Sequence, residues 1–167
     1  PPTVAGDSGA SFDVQVSNSA GSLNSGTAIL TVNALVVSGL TLNPATVTGG
    51  TPSTATVTLN GPAPAAGVTV GLSSGNTSAA TVPDTVTVLA NATSATFTVT
   101  SIAGTALDSS VITATFNGSA NATLTVNPPA VSAVTLNPTG VIGGALSTGT
   151  LILNGPAPPV LRGIAVS

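Results

Sequence analysis

The side chains of this 167-residue chain that could take part in catalysis are its aspartates, and there are only four of them. Asp7 and Asp13 lie close together in the sequence, and a pair of carboxylates is the usual catalytic equipment of a hydrolase. The surrounding residues favour a structural role for both. We expect Asp7 to lie in a turn and Asp13 to point outward from a strand, between inward-facing Phe12 and Val14.

The other two aspartates are also expected in structural positions. Asp84 follows Pro83, which is typical of a turn, and Asp108 is expected to open a strand. The chain has no His, Cys, Lys, Glu or Tyr, which removes most general bases, most nucleophiles and the ligands of zinc. The sequence therefore predicts that the protein is not an enzyme and has no catalytic, cofactor-binding or metal-binding residues.

Charge also limits the partners that the chain can bind. Its single basic residue is Arg162 and its formal net charge is −3, whereas a nucleic-acid-binding surface needs a cluster of Lys and Arg. No apolar run approaches the length of a membrane span. We therefore expect no nucleic-acid partner and no membrane span in this segment. Without cysteine, the redox compartment cannot be inferred from disulfide pairing.

Threonine-rich segments and glycosylation sequons raise two further binding hypotheses. Arrayed threonine hydroxyl and methyl groups could bind ice, but threonine is also a favoured outward residue of any strand. The four sequons begin at Asn76, Asn91, Asn117 and Asn121. Chance explains most of these sequons in a chain this rich in Ser, Thr and Asn. Neither ice binding nor glycosylation is therefore the favoured interpretation.

The elements that must position these residues are strands. Thr54–Leu59 alternates polar and apolar residues, as do Thr96–Thr100 and Thr123–Val126, and this period of two predicts half-buried antiparallel strands with Thr outward. Turn residues separate seven predicted strands, lettered A (40–47, broken by Pro44), B (53–59), C (68–73), D (80–88, bent at Pro83), E (94–100), F (111–116) and G (120–126). Asn117-Gly118 is predicted to form the F–G turn with positive φ at both positions.

The chain also repeats itself at an offset of 94 residues. Leu42-Asn43-Pro44 returns at 136–138, Gly49-Gly50 at 143–144 and Leu59-Asn60-Gly61-Pro62-Ala63-Pro64 at 153–158. In the other direction, Ala28, Leu30, Val32 and Asn33 return at 122, 124, 126 and 127. A fixed long period indicates an array of similar domains.

These observations predict an all-β chain of tandem sandwiches, one complete and two partial. Residues 1–33 supply strands F and G of one domain, 34–130 form a complete domain, and 131–167 supply strands A to C of a further one. The predicted linkers are Asn33–Gly39 and Asn127–Ala133, and Pro128-Pro129 should stiffen the second.

The segment from Asp7 to Gly21 resembles the E–F corner and strand F of the immunoglobulin family, whose pattern is Asp-x-Gly-x-Tyr-x-Cys followed by Asn-x-x-Gly. Phe12 replaces the corner tyrosine, one residue late, and Val14 replaces the cysteine. Residues 40–127 and 134–167 are similar to another bacterial immunoglobulin-like repeat type found in long secreted and surface proteins. The resemblance implies a fold and an extracellular or cell-surface location, and it implies no biochemical activity.

The function expected from this pattern is structural: a component of an extracellular fibre, stalk or adhesin spacer, with copies of itself or flanking domains as partners. The alternative is a carbohydrate- or surface-binding accessory module, although the chain has no Trp or Tyr to stack on sugars. The partial domains leave two explanations open. The chain is a window of a longer array, or successive chains complete each other head to tail, which would bring Arg162 near Asp7 or Asp13 of a neighbour.

Overall fold

The computed structural model describes residues 7–159, and strands account for most of this range. The chain divides into two compact units between Leu35 and Val36. In chain order the strands are β1 (Ser11–Phe12), β2 (Gln15–Asn18), β3 (Gly21–Asn24), β4 (Ala28–Ile29), β5 (Val37–Asn43), β6 (Thr46–Thr48), β7 (Pro52–Leu59), β8 (Val68–Ser74), β9 (Ala80–Thr81), β10 (Thr85–Val88), β11 (Ser94–Ser101), β12 (Asp108–Thr115), β13 (Ser119–Asn127), β14 (Val131–Asn137) and β15 (Thr148–Leu153).

Strands β5 to β13 form two sheets. The first has the order β5-β7-β11-β9, and the second has the order β10-β8-β12-β13-β6. Neighbouring strands are antiparallel except for β13 and β6, which run parallel. The predicted all-β sandwich is confirmed.

The core of this sandwich is built from the apolar positions of the alternating strands. Along β7, Ala55, Val57 and Leu59 are buried, while the intervening threonines face outward. Side chains from both sheets meet between them, and the largest fully buried apolar ones are Ile112, Leu124, Val57, Val70, Val88 and Val99. These are small or medium-sized residues, so the layer between the sheets is thin, and the large Phe97 is 8% exposed.

Both predicted proline breaks occur, and each moves the chain from one sheet to the other. Strand A divides at Pro44 into β5 and β6, which belong to different sheets. The D region divides at Pro83 in the same way, since β9 pairs with β11 and β10 pairs with β8. Proline lacks the backbone N–H needed to continue a ladder, which makes it a natural point for such a crossing.

Two local predictions are wrong in detail. The connection from β12 to β13 is three residues long, because Thr115 pairs with Ser119, and only Asn117 has a positive φ (49°) while Gly118 does not. The second linker is also shorter than predicted: β13 continues to Asn127 and β14 starts at Val131, which leaves residues 128–130 between them.

Three buried serines add side-chain hydrogen bonds within and at the ends of the paired strands. Ser53 Oγ donates to the Pro44 carbonyl at 2.7 Å and Ser101 Oγ donates to the Thr51 carbonyl at 2.6 Å. Ser110 Oγ lies 2.7 Å from Ser74 Oγ. Within residues 7–159 no buried side-chain nitrogen or oxygen lacks a hydrogen bond, as expected for a well-formed interior.

The two flanking regions form isolated two-stranded ribbons. Near the amino end β1 pairs with β4 and β2 pairs with β3, and near the carboxyl end β14 pairs with β15. The predicted third strand of the carboxyl-terminal region falls mostly on residues 160–167, outside the described residues, and so does Arg162.

Candidate assembly surfaces

The aspartates occupy turns and strand ends. Asp7 begins a turn in which its carbonyl accepts the Ala10 N–H at 3.1 Å, and Asp13 is exposed between β1 and β2. The Asp84 carbonyl accepts the Leu72 N–H at 2.8 Å, and Asp108 is the first residue of β12. Among residues 7–159 no group of three or more His, Cys, Asp or Glu side chains could hold a metal ion.

Asp108 organises a small polar network with Asn76. Its Oδ1 accepts hydrogen bonds from Asn76 Nδ2 at 2.9 Å and from the Ser109 N–H at 2.8 Å. Asn76 Oδ1 accepts the Ser78 N–H at 3.1 Å. The Asn76 amide is therefore committed to holding the loop after β8 against β12, which makes this sequon a poor acceptor for glycan.

The sequence repeat is reproduced in the hydrogen bonds of the β14–β15 ribbon. Asn60 Oδ1 accepts the Val36 N–H at 2.9 Å, and 94 residues later Asn154 Oδ1 accepts the Ala130 N–H at 2.8 Å. Strands β5 and β7 pair antiparallel, and β14 and β15 pair antiparallel in the equivalent register. Both ladders have a register shift after their first residue pair. The two segments therefore build the same local structure.

The turn regions match as well. Ser53 Oγ donates to the Pro44 carbonyl and Ser147 Oγ donates to the Pro138 carbonyl, each at 2.7 Å. The Asn43–Pro44 and Asn137–Pro138 peptide bonds are both cis. Strands β14 and β15 are thus a copy of β5 and β7 at residue level, with the rest of the sandwich missing from the described residues.

Within residues 7–159 one apolar face of this ribbon is exposed, and we call it the open face. Val134 is 63% exposed, although its equivalent Leu40 is 8% exposed in the complete sandwich. Leu151 is 37% exposed, whereas the equivalent Val57 is fully buried. The open face consists of Val131, Val134, Leu136, Val141 and Leu151. Exposed apolar patches of this kind mark interaction surfaces.

One strand of the repeat fails to form in the ribbon. Residues 140–142 correspond to β6, but they are not in a strand. In the complete sandwich β6 has β13 as its hydrogen-bonding neighbour in the sheet order. A strand needs a partner for its backbone groups, and in the part of the chain that the structure describes no strand pairs with residues 140–142.

The amino-terminal ribbon also presents apolar side chains. Phe12, Val14 and Val16 are each more than half exposed, as are Leu23 and Ile29. Phe12 pairs with Ala28 as Ile112 pairs with Ala122 in the complete sandwich. This is a match of one residue pair, and the assignment of residues 1–33 to strands F and G stays a prediction.

Two glycines pack closely against side chains where the sandwich meets the segment after β15. An added Cβ at Gly50 would lie 2.7 Å from Pro156 Cγ, and one at Gly155 would lie 2.6 Å from Thr48 Cγ2. Both distances are below 3.0 Å, so a larger residue at either glycine would force Pro156 or Thr48 to shift. We call these four residues the glycine joint. Pro158, two residues further on, is buried.

The glycine joint was not predicted from the sequence. Its signal was available, since Gly49-Gly50 and the segment beginning Asn154-Gly155-Pro156 both belong to the repeated motifs. The repeat shows that these glycines recur, but a contact between the two motifs depends on how consecutive domains approach each other.

Threonines form a patch on the outer face of the first sheet. Thr56 of β7 lies between Thr41 of β5 and Thr96 of β11, and Thr54 is paired with Thr98 in the next row. Neighbouring strands are about 4.8 Å apart and alternate residues of a strand about 6.7 Å apart. The patch therefore offers regularly spaced hydroxyl and methyl groups.

Comparisons with known proteins give no assignment: no family model and no curated protein matches this chain. The part of the chain that the structure describes contains no helix of the length and apolarity needed to cross a membrane. The inference about function therefore rests on the repeat, the open face, the glycine joint and the threonine patch.

Proposed function

We propose that this protein is a structural component of an extracellular or cell-surface fibre, stalk or adhesin spacer, built from tandem immunoglobulin-like domains. The observation that carries the proposal is the copying of β5 and β7 by β14 and β15, down to equivalent hydrogen bonds. A repeated domain suits a scaffold whose length matters more than its chemistry.

The connections between domains support the same proposal. The linker of residues 128–130 contains two prolines, which restrict its backbone. The glycine joint adds a direct contact between Thr48–Gly50 and Gly155-Pro156. Consecutive domains held at both a short linker and the glycine joint form a chain with little bending freedom, and this is what a spacer requires.

Small-angle scattering of the full chain over a dilution series tests the proposal. A compact protein of 167 residues has a radius of gyration of about 15 Å, and we expect a clearly larger value that rises with concentration if copies associate. A concentration-independent radius near 15 Å would mean that both ribbons pack on the chain's own sandwich, and the spacer function would be lost.

The threonine patch favours a second candidate, a module that binds a carbohydrate or another extended surface. Its hydroxyl groups could replace the water-mediated hydrogen bonds of a polysaccharide or ice surface. Thr56→Lys would place a long charged side chain in the middle of the patch. Thr113, half-buried on the outer face of the second sheet, provides the matched control Thr113→Lys.

Pull-down with cellulose, chitin, peptidoglycan and ice separates this candidate from the first. Retention of the original chain and of Thr113→Lys, with loss for Thr56→Lys, would assign surface binding to the patch. Lack of retention on all four materials, or equal retention of both variants, would leave the patch as an ordinary solvated strand face.

A further inference from the structure

The loop between β11 and β12 borders a groove at the same end of the sandwich as the glycine joint. Residues 102–107 form this loop, and a Cβ added at Gly49 would lie 2.7 Å from its Ala103 Cα. The groove has a volume of about 300 Å³, and its lining includes Ile102, Gly104, Thr105, Leu107 and Asp108. Ile102 is 37% exposed and Leu107 is 66% exposed. We call this groove the loop groove.

The segment after β15 leads to the edge of the loop groove. Pro158 and Pro159 line a smaller cavity of about 180 Å³, which they share with Ala103, Gly104 and Thr105. Gly104 and Thr105 also line the loop groove, so the two cavities adjoin. Pro158 is buried, although its equivalent Pro64 is exposed in the complete sandwich. The chain therefore reaches the loop groove at Pro159, and the next residue is Val160.

The sequence at this point contains two residues more than the earlier copy of the repeat. The offset is 94 up to Pro158, whereas Gly163-Ile164-Ala165-Val166 matches Gly67-Val68-Thr69-Val70 at an offset of 96. An unbroken offset of 94 would place Arg162 opposite Val68, which is 5% exposed, and arginine is almost never fully buried without a partner. The two residues Ala65-Ala66 are thus replaced by the four residues Pro159-Val160-Leu161-Arg162.

We propose that residues 160–162, which lie outside the described residues, dock in the loop groove. Val160 and Leu161 cover the exposed side chains of Ile102 and Leu107, and the Arg162 guanidinium pairs with the carboxylate of Asp108. Three extended residues span about 10 Å, which suits a groove that begins beside Pro159. This inference deepens the proposed spacer function, on which it rests, because it adds a contact that fixes one domain against the next.

Charge complementarity determines the direction of the docked segment. Arg162 is the single basic residue of the chain, and Asp108 is the acidic residue in the lining of the loop groove. The hydrogen bonds that Asp108 accepts from Asn76 and Ser109 both go to Oδ1, which leaves Oδ2 available to a guanidinium. An exposed ion pair contributes little to stability, so the apolar contacts supply most of the binding and the ion pair fixes the register.

Limited digestion with trypsin tests the docking directly, because one bond in the chain follows a basic residue and that residue is Arg162. Docking protects this bond, and the cleavage rate follows the fraction of time that the segment is undocked. We expect the full chain to be cleaved at least about tenfold more slowly than a synthetic peptide of residues 156–167. Cleavage of the full chain at the rate of the peptide would overturn the proposal.

Two matched substitutions show whether the protection comes from the loop groove. Leu107→Ser removes an apolar side chain from the groove, whereas Leu89→Ser changes a leucine that is 71% exposed and does not line it. We expect Leu107→Ser to raise the cleavage rate more than about fivefold and Leu89→Ser to leave it within about twofold. Equal rates for the two variants would assign the protection to another contact and would overturn the proposal.

The ion pair is tested by Asp108→Asn, which keeps an oxygen for Asn76 and removes the charge. Cleavage should become about two- to fivefold faster, as expected for an exposed pair, and should lose its dependence on salt. Asp84→Asn is the control, because Asp84 does not line the groove and bonds Leu72 through its backbone carbonyl. Equal rates and equal salt dependence for the two variants would contradict the pairing of Arg162 with Asp108.

The digestion experiments separate this proposal from the spacer function. If Arg162 is cleaved without protection while scattering still shows an elongated particle, the docking of residues 160–162 fails and the spacer function stands. If scattering shows a compact particle, the spacer function fails, whatever the cleavage rate.

Discussion

At the scale of single residues, stability depends on a few fully buried aliphatic side chains, because the core has no large aromatic filling apart from Phe97. Leu124 is fully buried between the sheets, and Leu89 is 71% exposed. These two leucines therefore offer a comparison at constant side-chain chemistry.

Leu124→Ala should lower the free energy of unfolding by about 2–5 kcal/mol, because it removes buried methyl groups and leaves a cavity. Leu89→Ala should change the same quantity by no more than about 0.5 kcal/mol. Chemical denaturation of the full chain measures both. Similar losses for the two variants would mean that the sandwich is not packed as described.

The buried serines are the second contribution at this scale. Ser110→Ala removes the acceptor of the Asn76 N–H and one of the two hydrogen bonds of Ser74 Oγ, which still donates to the Ala80 carbonyl at 2.6 Å. Leaving a part-buried N–H without its acceptor costs about 1–3 kcal/mol. The adjacent, exposed Ser109 provides the control Ser109→Ala. A denaturation midpoint unchanged by Ser110→Ala would show that water replaces the lost hydroxyl.

At the scale of elements, the glycine joint determines how the β14–β15 ribbon meets the sandwich. Gly155→Val would insert a branched side chain where even a Cβ lies 2.6 Å from Thr48 Cγ2. We expect the ribbon to separate from the sandwich and to tumble faster in NMR relaxation measurements. Gly140→Val is the control, because nothing lies within 4 Å of its Cβ position. Identical relaxation of both variants would remove the joint as a determinant of orientation.

Strand positions could be predicted from the sequence because alternation and turn residues are local signals. The breaks at Pro44 and Pro83 follow from the same chemistry. The sheet to which each half-strand belongs could not be predicted, since that depends on which distant strand offers a free edge. The three-residue turn at 116–118 was missed for a related reason: the register of β12 against β13 determines its length, and dipeptide preferences do not.

The same distinction applies to the candidate surfaces. What a segment's own sequence encodes could be predicted, and a contact between two distant segments could not. The repeat at an offset of 94 predicted that residues 131–153 would copy an earlier segment, and their hydrogen bonds confirm it. The glycine joint needed the approach of two segments about a hundred residues apart. No pattern within either segment encodes that approach, although the recurrence of the glycines marks where to look.

At the scale of the whole molecule, the complete sandwich should fold without its flanks. Residues 34–130 expressed alone are expected to give a cooperative, all-β thermal transition, because both sheets and the core lie within that range. Peptides of residues 1–33 and 131–167 should remain unfolded in isolation, since two-stranded ribbons are marginal in water. Circular dichroism checks both expectations, and a broad, non-cooperative transition of the 34–130 fragment would contradict the first.

The parallel pairing of β6 and β13 has a consequence for a chain under tension. Tension on the two ends of the sandwich pulls near the start of one strand and at the end of the other. The two strands would therefore slide past each other in shear, and the hydrogen bonds at Thr125 and Asn127 must break together instead of one at a time. We expect single-molecule pulling to show one abrupt rupture per sandwich, at a force well above that of the flanking antiparallel ribbons, which can unzip from their ends.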